Sequence, residues 1–252
     1  MGHIHLKDIS LQHPGNPAKK IVDSLTMDLA PGSITMLLGI NGSGKTTLLR
    51  ALSGQMKYTG EMSVDGRNLT SMKVRERARH MAFLGQEEVP APGLSVYEAV
   101  ALARIPHPRN KVKDHEAVES ALRAVNLWEL KDRTTGTLSG GQKRRVLLAR
   151  CFAQEVRFII LDEPMNHLDM YYQIQLVQLL RARGVTVLMS VHDMDLAYQC
   201  ADQVVLIHRD GGASIGSPQQ ICAPGILNSE FAIFTEVGQE LSQAHVVIKY
   251  RD

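Results

Sequence analysis

The chain has 252 residues, 44% of them hydrophobic and 21% charged, enough to bury one large α/β core with a smaller lobe inserted. A formal charge of +2, from 28 Lys and Arg against 26 Asp and Glu, excludes a global attraction to nucleic acid, so any polyanion must be held by a local site. No run approaches the roughly 20 apolar residues of a membrane-spanning helix, and Met1 to Ser10 lack a signal-peptide core; Cys151, Cys200 and Cys222, odd in number and without C-x-x-C spacing, fit neither a disulfide frame nor a zinc site, and suit a reducing cytoplasm.

In chain order, residues 3–11 alternate apolar and polar, predicting a strand of a small antiparallel sheet, with 61–64 as a further strand of it. Residues 34–38 form a short apolar run that reads as a strand buried on both faces. Directly after it, Gly39-Ile40-Asn41-Gly42-Ser43-Gly44-Lys45-Thr46 matches G-x-x-x-x-G-K-[ST] in full, and a helix is expected from Lys45 until Gly54. A strand, a glycine loop and a helix N-terminus together aim backbone N–H groups and a positive dipole at one point, where an oxyanion fits. There Asn41, Gly42, Ser43 and Gly44 would cradle phosphates, Lys45 would reach the β- and γ-phosphates, Thr46 would ligate Mg²⁺ and Thr47 would bond the α-phosphate.

Residues 81–84 predict another buried strand, followed by Gln86, a neutral group able to meet both Mg²⁺ and a water. Between Glu87 and Thr137 the strand signals fade, Pro90, Pro92, Pro106 and Pro108 interrupt the chain, and Val118, Ala121, Leu122 and Val125 recur at helical spacing, so an inserted helical lobe is expected. Residues 158–161 are an apolar strand ending in Asp162 and Glu163. If the strand emerges beside the cradle, Asp162 can join the metal while Glu163, pointed elsewhere by strand alternation, polarises the attacking water as general base. A helix is expected over residues 170–183, stopped at Gly184. Strands at 185–190 and 204–207 follow, and His192, just past the first, could donate to a γ-phosphate and sense its presence. Taken alone, Gln86 reads first as a surface residue and His192 as a satisfied strand-end residue.

The pentapeptide Leu138-Ser139-Gly140-Gly141-Gln142, standing between the phosphate loop and the Phe158–Glu163 run, resembles the signature of the ABC ATPase domain. The resemblance covers about residues 3–220. It implies a P-loop NTPase fold, a RecA-like α/β core with an antiparallel β subdomain and an inserted α-helical subdomain. In domain terms it implies 1–86 and 146–220 for core and β subdomain, 87–145 for the helical subdomain and 221–252 as a C-terminal extension. It further implies that Gln86 is the Q-loop residue, that Asn166-His167-Leu168-Asp169 is the D-loop, with Asp169 at the nucleotide interface, and that His192 is the switch histidine. Physically, Ser139, Gly140 and Gly141 open a helix from Gln142 to Cys151 and make a second anion site from a hydroxyl, N–H groups and a dipole. In the family this second site serves the nucleotide of the opposite subunit, so one copy of each motif implies a homodimer with two composite ATP sites.

One departure concerns the base. Relatives place an aromatic near the end of the first strand, and His13 stands at the aligned position here. Guanine is disfavoured because the nearest approach to N-K-x-D is Asn110-Lys111-Val112-Lys113. Leu94 to Pro106, the phrase Ser190 to Ala197 and the short extension resemble importers of iron-siderophore, haem or cobalamin complexes. That implies permease subunits docking on the helical lobe from a membrane at whose cytoplasmic side this chain sits peripherally, with a substrate-binding protein on the far side. The alternative is a soluble ABC ATPase acting on nucleic acid or ribosomes. Its only basic clusters, 73–79 and Lys143-Arg144-Arg145, read first as solvated helix faces.

Overall fold

A computed structural model describes residues 2–13, 16–166, 170–223, 226, 234–240 and 243–249. The central layer is a six-stranded sheet in the order β10(Ala213–Gly216), β9(Gln203–Ile207), β3(Ile34–Leu38), β8(Thr186–Ser190), β7(Phe158–Leu161), β6(Met81–Leu84). All neighbours are parallel except the antiparallel edge strand β10. The four innermost runs carry almost nothing but apolar residues because both faces are covered. Strand alternation divides them: Ile34, Met36, Leu38, Ile159, Leu161, Val187 and Met189 pack in one core, and Leu37, Phe158, Ile160 and Leu188 in another.

The second core is closed by a four-stranded antiparallel sheet, ordered β2(Asn16–Leu29), β1(Ile4–His13), β4(Thr59–Val64), β5(Arg67–Asn68), and by the helix α1(Lys45–Leu52), whose Leu48, Leu49 and Leu52 are buried there. The first core runs into the helical lobe: α3(Val96–Ala101), α4(Lys111–Ala124) and the leading part of α5(Gly140–Ala153), with three short 3₁₀ turns. Val118, Ala121, Leu122 and Val125 are all buried, as their spacing requires. The lobe returns to the core through one continuous helix, so residues 145 and 146 lie inside α5 rather than at a linker. Short α2(Val74–Arg77), then α6(Met170–Ala182), α7(Met194–Cys200) and α8(Pro218–Ile221) are further helices, and β11(Phe234–Glu240) pairs with β12(Gln243–Lys249) in a separate hairpin.

One expectation needs correction. Arg144 and Arg145 are not a solvated face: Arg144 donates to four main-chain carbonyls and Arg145 to Val125 O at 3.2 Å. The 73–79 cluster is the exposed face its reading expects, with Arg79 also donating to Pro106 O at 2.6 Å. Asn110, half of the N-K-x-D approach, is a helix cap that accepts the Lys113 N–H. Cys151 and Cys222 are buried thiols, pushed up to about 12 and about 11 by desolvation, and Cys200 is raised for the same reason.

Candidate active site

The site forms at the carboxyl ends of β3, β8, β7 and β6, four adjacent parallel strands, which is where open α/β sheets place ligands. The glycine loop follows β3, Asp162 and Glu163 follow β7, His192 follows β8 and Gln86 follows β6. A cavity of about 510 Å³ is lined by Ile40 to Thr47, Glu163 and His192, and on its far side by Lys20, Ile21 and Arg209.

Local geometry explains the loop. Gly44 has φ +103, and a Cβ there would lie 2.1 Å from Ile21 Cγ2, so glycine is demanded twice over. Lys45 is buried and donates to Gly39 O at 2.6 Å and Ile40 O at 3.2 Å. Burial lowers its ammonium below the usual lysine value, and the charges of Glu163 and Asp162 oppose that shift.

Asp162 is fully buried. Its Oδ1 accepts from Thr46 Oγ1 at 3.2 Å and Ser190 Oγ at 2.8 Å, whereas Oδ2 is buried with no hydrogen-bond partner. Desolvation raises its carboxyl, with the two hydroxyls and then Glu163 as smaller influences, the hydroxyls acting in the opposite direction. A buried carboxylate oxygen left bare beside a threonine hydroxyl is the donor set of a hard divalent cation that takes its other ligands from phosphate and water. The residues therefore fit Mg²⁺. Among the described residues no cluster of three His, Cys, Asp or Glu could hold a metal by protein ligands alone.

Glu163 accepts from three side chains. Gln86 Nε2 donates to Oε2 at 2.6 Å, Asn166 Nδ2 donates to the same oxygen, and His192 Nε2 faces Oε1 at 2.5 Å. Its separation from Asp162 has a different cause than strand alternation. Strand β7 ends at Leu161, and Glu163 adopts the left-handed conformation with φ +46, which turns its side chain away from that of Asp162. Ser190 holds this turn by accepting the Glu163 N–H at 2.8 Å while donating to Asp162. Sequence reading missed Ser190 and Arg144. A small hydroxyl two residues before His192 was the available signal for the first, and nothing local pointed to the second.

Ser139, Gly141 and Gln142 line a different cavity of about 600 Å³, shared with α4 and α6. Ser139 caps α5 by accepting the Gln142 N–H, and the Gln142 side chain returns the bond to the Ser139 N–H, a complete capping box. His13 ends β1, with its side chain outside what is described, and Asp169 lies outside the described residues.

A family model described as ABC transporter matches residues 22–166. The chain is 34% identical over 250 residues to the hemin import ATP-binding protein HmuV of Pseudomonas entomophila (strain L48), covering 96% of this chain and 98% of that protein. It is 35% identical to the probable siderophore transport system ATP-binding protein YusV of Bacillus subtilis (strain 168), over 87% and 83% of the two chains. A solved metal-chelate type ABC transporter in an inward-facing conformation superposes with TM-score 0.82 and 25% identity over 100% of this chain and 99% of its own. The structure of cbiO1 from Clostridium perfringens, part of the cbiONQ transporter complex, gives TM-score 0.76 over 90% of this chain and 94% of its own, at 24% identity, and speaks for the fold.

Proposed function

The chain belongs to the ABC transporter family of ATP-binding subunits, and from that premise we propose that it closes as a homodimer around two ATP, driving permease subunits that import a haem or ferric-siderophore complex. In this reading the loop 41–47 binds the phosphates, and Thr46 and Asp162 hold Mg²⁺, which when bound neutralises charge on the β- and γ-phosphates. Glu163 takes a proton from water as its oxygen bonds to the γ-phosphorus, and the bond to the β–γ bridging oxygen breaks to release ADP. Gln86, Asn166 and His192 orient the Glu163 carboxylate. His13 is assigned to adenine and Asp169 to the interface by resemblance alone.

The observation that carries the dimer is negative space at the signature. A Cβ at Gly140 or Gly141 would meet nothing within 4 Å, and neither residue has positive φ, so nothing among the described residues requires glycine. Glycine in a helix costs roughly 0.5–1 kcal/mol relative to alanine. The requirement therefore comes from outside, and a second subunit's nucleotide, approaching bare N–H groups at the α5 N-terminus, supplies it.

The import assignment draws on the named relatives, which are haem and siderophore import ATP-binding proteins. Among the described residues no helix is long and apolar enough to cross a membrane, which suits a subunit docked peripherally on the cytoplasmic face of the inner membrane, with a substrate-binding protein beyond it. Val89, Leu102 and Ile105, at 69%, 45% and 65% exposure, flank the Gln86 loop and α3, and offer permease segments an apolar seat. Purification from native membranes in mild detergent, with mass spectrometry of stoichiometric partners, tests the reading. A polytopic permease is expected. Recovery with ribosomes or nucleic acid, or without any partner, would remove the transport role and leave the ATPase.

A further inference from the structure

Arg144 stands on the second turn of α5, just behind the exposed signature glycines. Its Nη1 donates to Gly85 O at 2.9 Å and Gln86 O at 3.3 Å, and its Nη2 to Asp162 O and Glu163 O, both at 3.1 Å. One guanidinium thus binds the main chains of the two residues, Gln86 and Glu163, whose side chains meet at 2.6 Å. The same helix takes a second grip on the Gln86 loop, since Arg150 pairs with Glu88, and Glu88 Oε2 accepts the Gly85 N–H at 3.4 Å. Opposite Arg144, Ser190 fixes the Glu163 N–H, and Leu84 O accepts the Asp162 N–H at 2.8 Å. The left-handed turn at Glu163 is therefore clamped between β8, β6 and α5, and only the α5 side reaches the signature.

We propose that Arg144 is a positioning residue that couples the two composite sites: a nucleotide engaged by the N-terminus of α5 sets, through this guanidinium, the main chain of Glu163 in the other site. The inference rests on the sandwich-dimer reading. Its physical basis is short and rigid. Glu163 lies at the end of a buried strand, α5 is a continuous helix, and among the described residues the guanidinium is the single side chain that bonds α5 to both carbonyls of the catalytic turn. Only a planar fork with five donors can serve four carbonyls at once; a lysine ammonium offers three donors about a point. Small displacements matter here, because misplacing a catalytic group by about 1 Å can cost on the order of 100-fold in rate.

The test uses the full chain carrying Arg144→Ala or Arg144→Lys. Measurements are Tm, amide hydrogen exchange without nucleotide, and steady-state ATPase activity across ATP concentration. Faster exchange at the Asp162 and Glu163 amides is expected, with kcat lower by roughly 10–100-fold, KM little changed and the Hill coefficient falling from above unity to unity. Arg144→Lys is expected to restore Tm without restoring kcat or cooperativity. Losses that track Tm and are rescued by lysine would overturn the proposal, as would wild-type cooperativity in both variants or a non-cooperative wild type. ATP-driven dimerisation of Glu163→Gln, followed by size exclusion, separates the two levels. Without that dimer the sandwich reading itself fails, whereas a dimer alongside unaffected Arg144 variants sinks the coupling alone.

Discussion

Two helix N-termini in this molecule carry glycine-rich segments, and they are built differently. At α1 the glycine loop closes on itself: Gly44 is forced by φ +103 and by Ile21 against its missing side chain, Lys45 is bonded to two loop carbonyls, and no side chain caps the helix. At α5 a capping box pairs the Ser139 and Gln142 N–H groups, and a Cβ at Gly140 or Gly141 would face open space. The first is a complete half of a site, organised by its own chain. The second is organised up to its surface and no further, and it is there that the proposed partner nucleotide would bind.

The largest effect that sharpens this contrast comes from Glu163→Gln. Losing the base should lower kcat by about 10²–10⁴-fold while ATP binding survives, because the α1 cradle is untouched. ATP should then hold the subunits together through α5, visible as a stable dimer on size exclusion. Near-normal turnover would remove Glu163 from its role.

Next come paired glycine substitutions with opposite signs. Gly44→Ala should lower Tm, at a cost of about 1–3 kcal/mol for a residue forced into a disfavoured conformation, and weaken ATP binding by the monomer. Gly141→Ala should raise Tm slightly, by up to about 1 kcal/mol of helix propensity, and leave monomer binding intact while abolishing ATP-driven dimerisation. Equal destabilisation by both would erase the distinction between the two N-termini.

The smallest effect concerns nucleotide-free stability. Burial raises the Asp162 carboxyl above its unfolded value, so the native state takes up its proton more readily than the unfolded chain. The resulting destabilisation is complete above the raised folded pKa and disappears as pH falls toward the unfolded value. Asp162→Asn, whose amide oxygen can still accept from Thr46 and Ser190, should therefore exceed wild type in Tm by a few degrees above that pKa, with the gap closing on acidification. A pH-independent gap would show that the charge is not its source.

Strand runs, the phosphate loop, the carboxylate pair and the signature pentapeptide were legible because each is a contiguous segment with its own periodicity or spacing. The long strand β2 escaped notice because bulges break its alternation: buried Val22 and Leu25 stand three apart, with Ser24 at φ +49 between them. Arg144 and Arg145 were read as solvated because a helix face says nothing about which loop will cover it.

By itself the sequence determined the candidate groups: the glycine loop ahead of one helix, the carboxylate pair after a buried strand, and the second helix N-terminus that carries glycines. Local spacing suffices for these, because each depends on atoms a few bonds apart. Tertiary structure decided how those groups act together: the left-handed turn that aims Glu163, the Ser190 hydroxyl shared by Asp162 and Glu163, the bare Asp162 Oδ2, and the guanidinium of Arg144 joining residues 58–59 and 18–19 positions away. Such contacts are fixed by the order in which strands assemble in the sheet, and that order is a property of the packed core rather than of any segment.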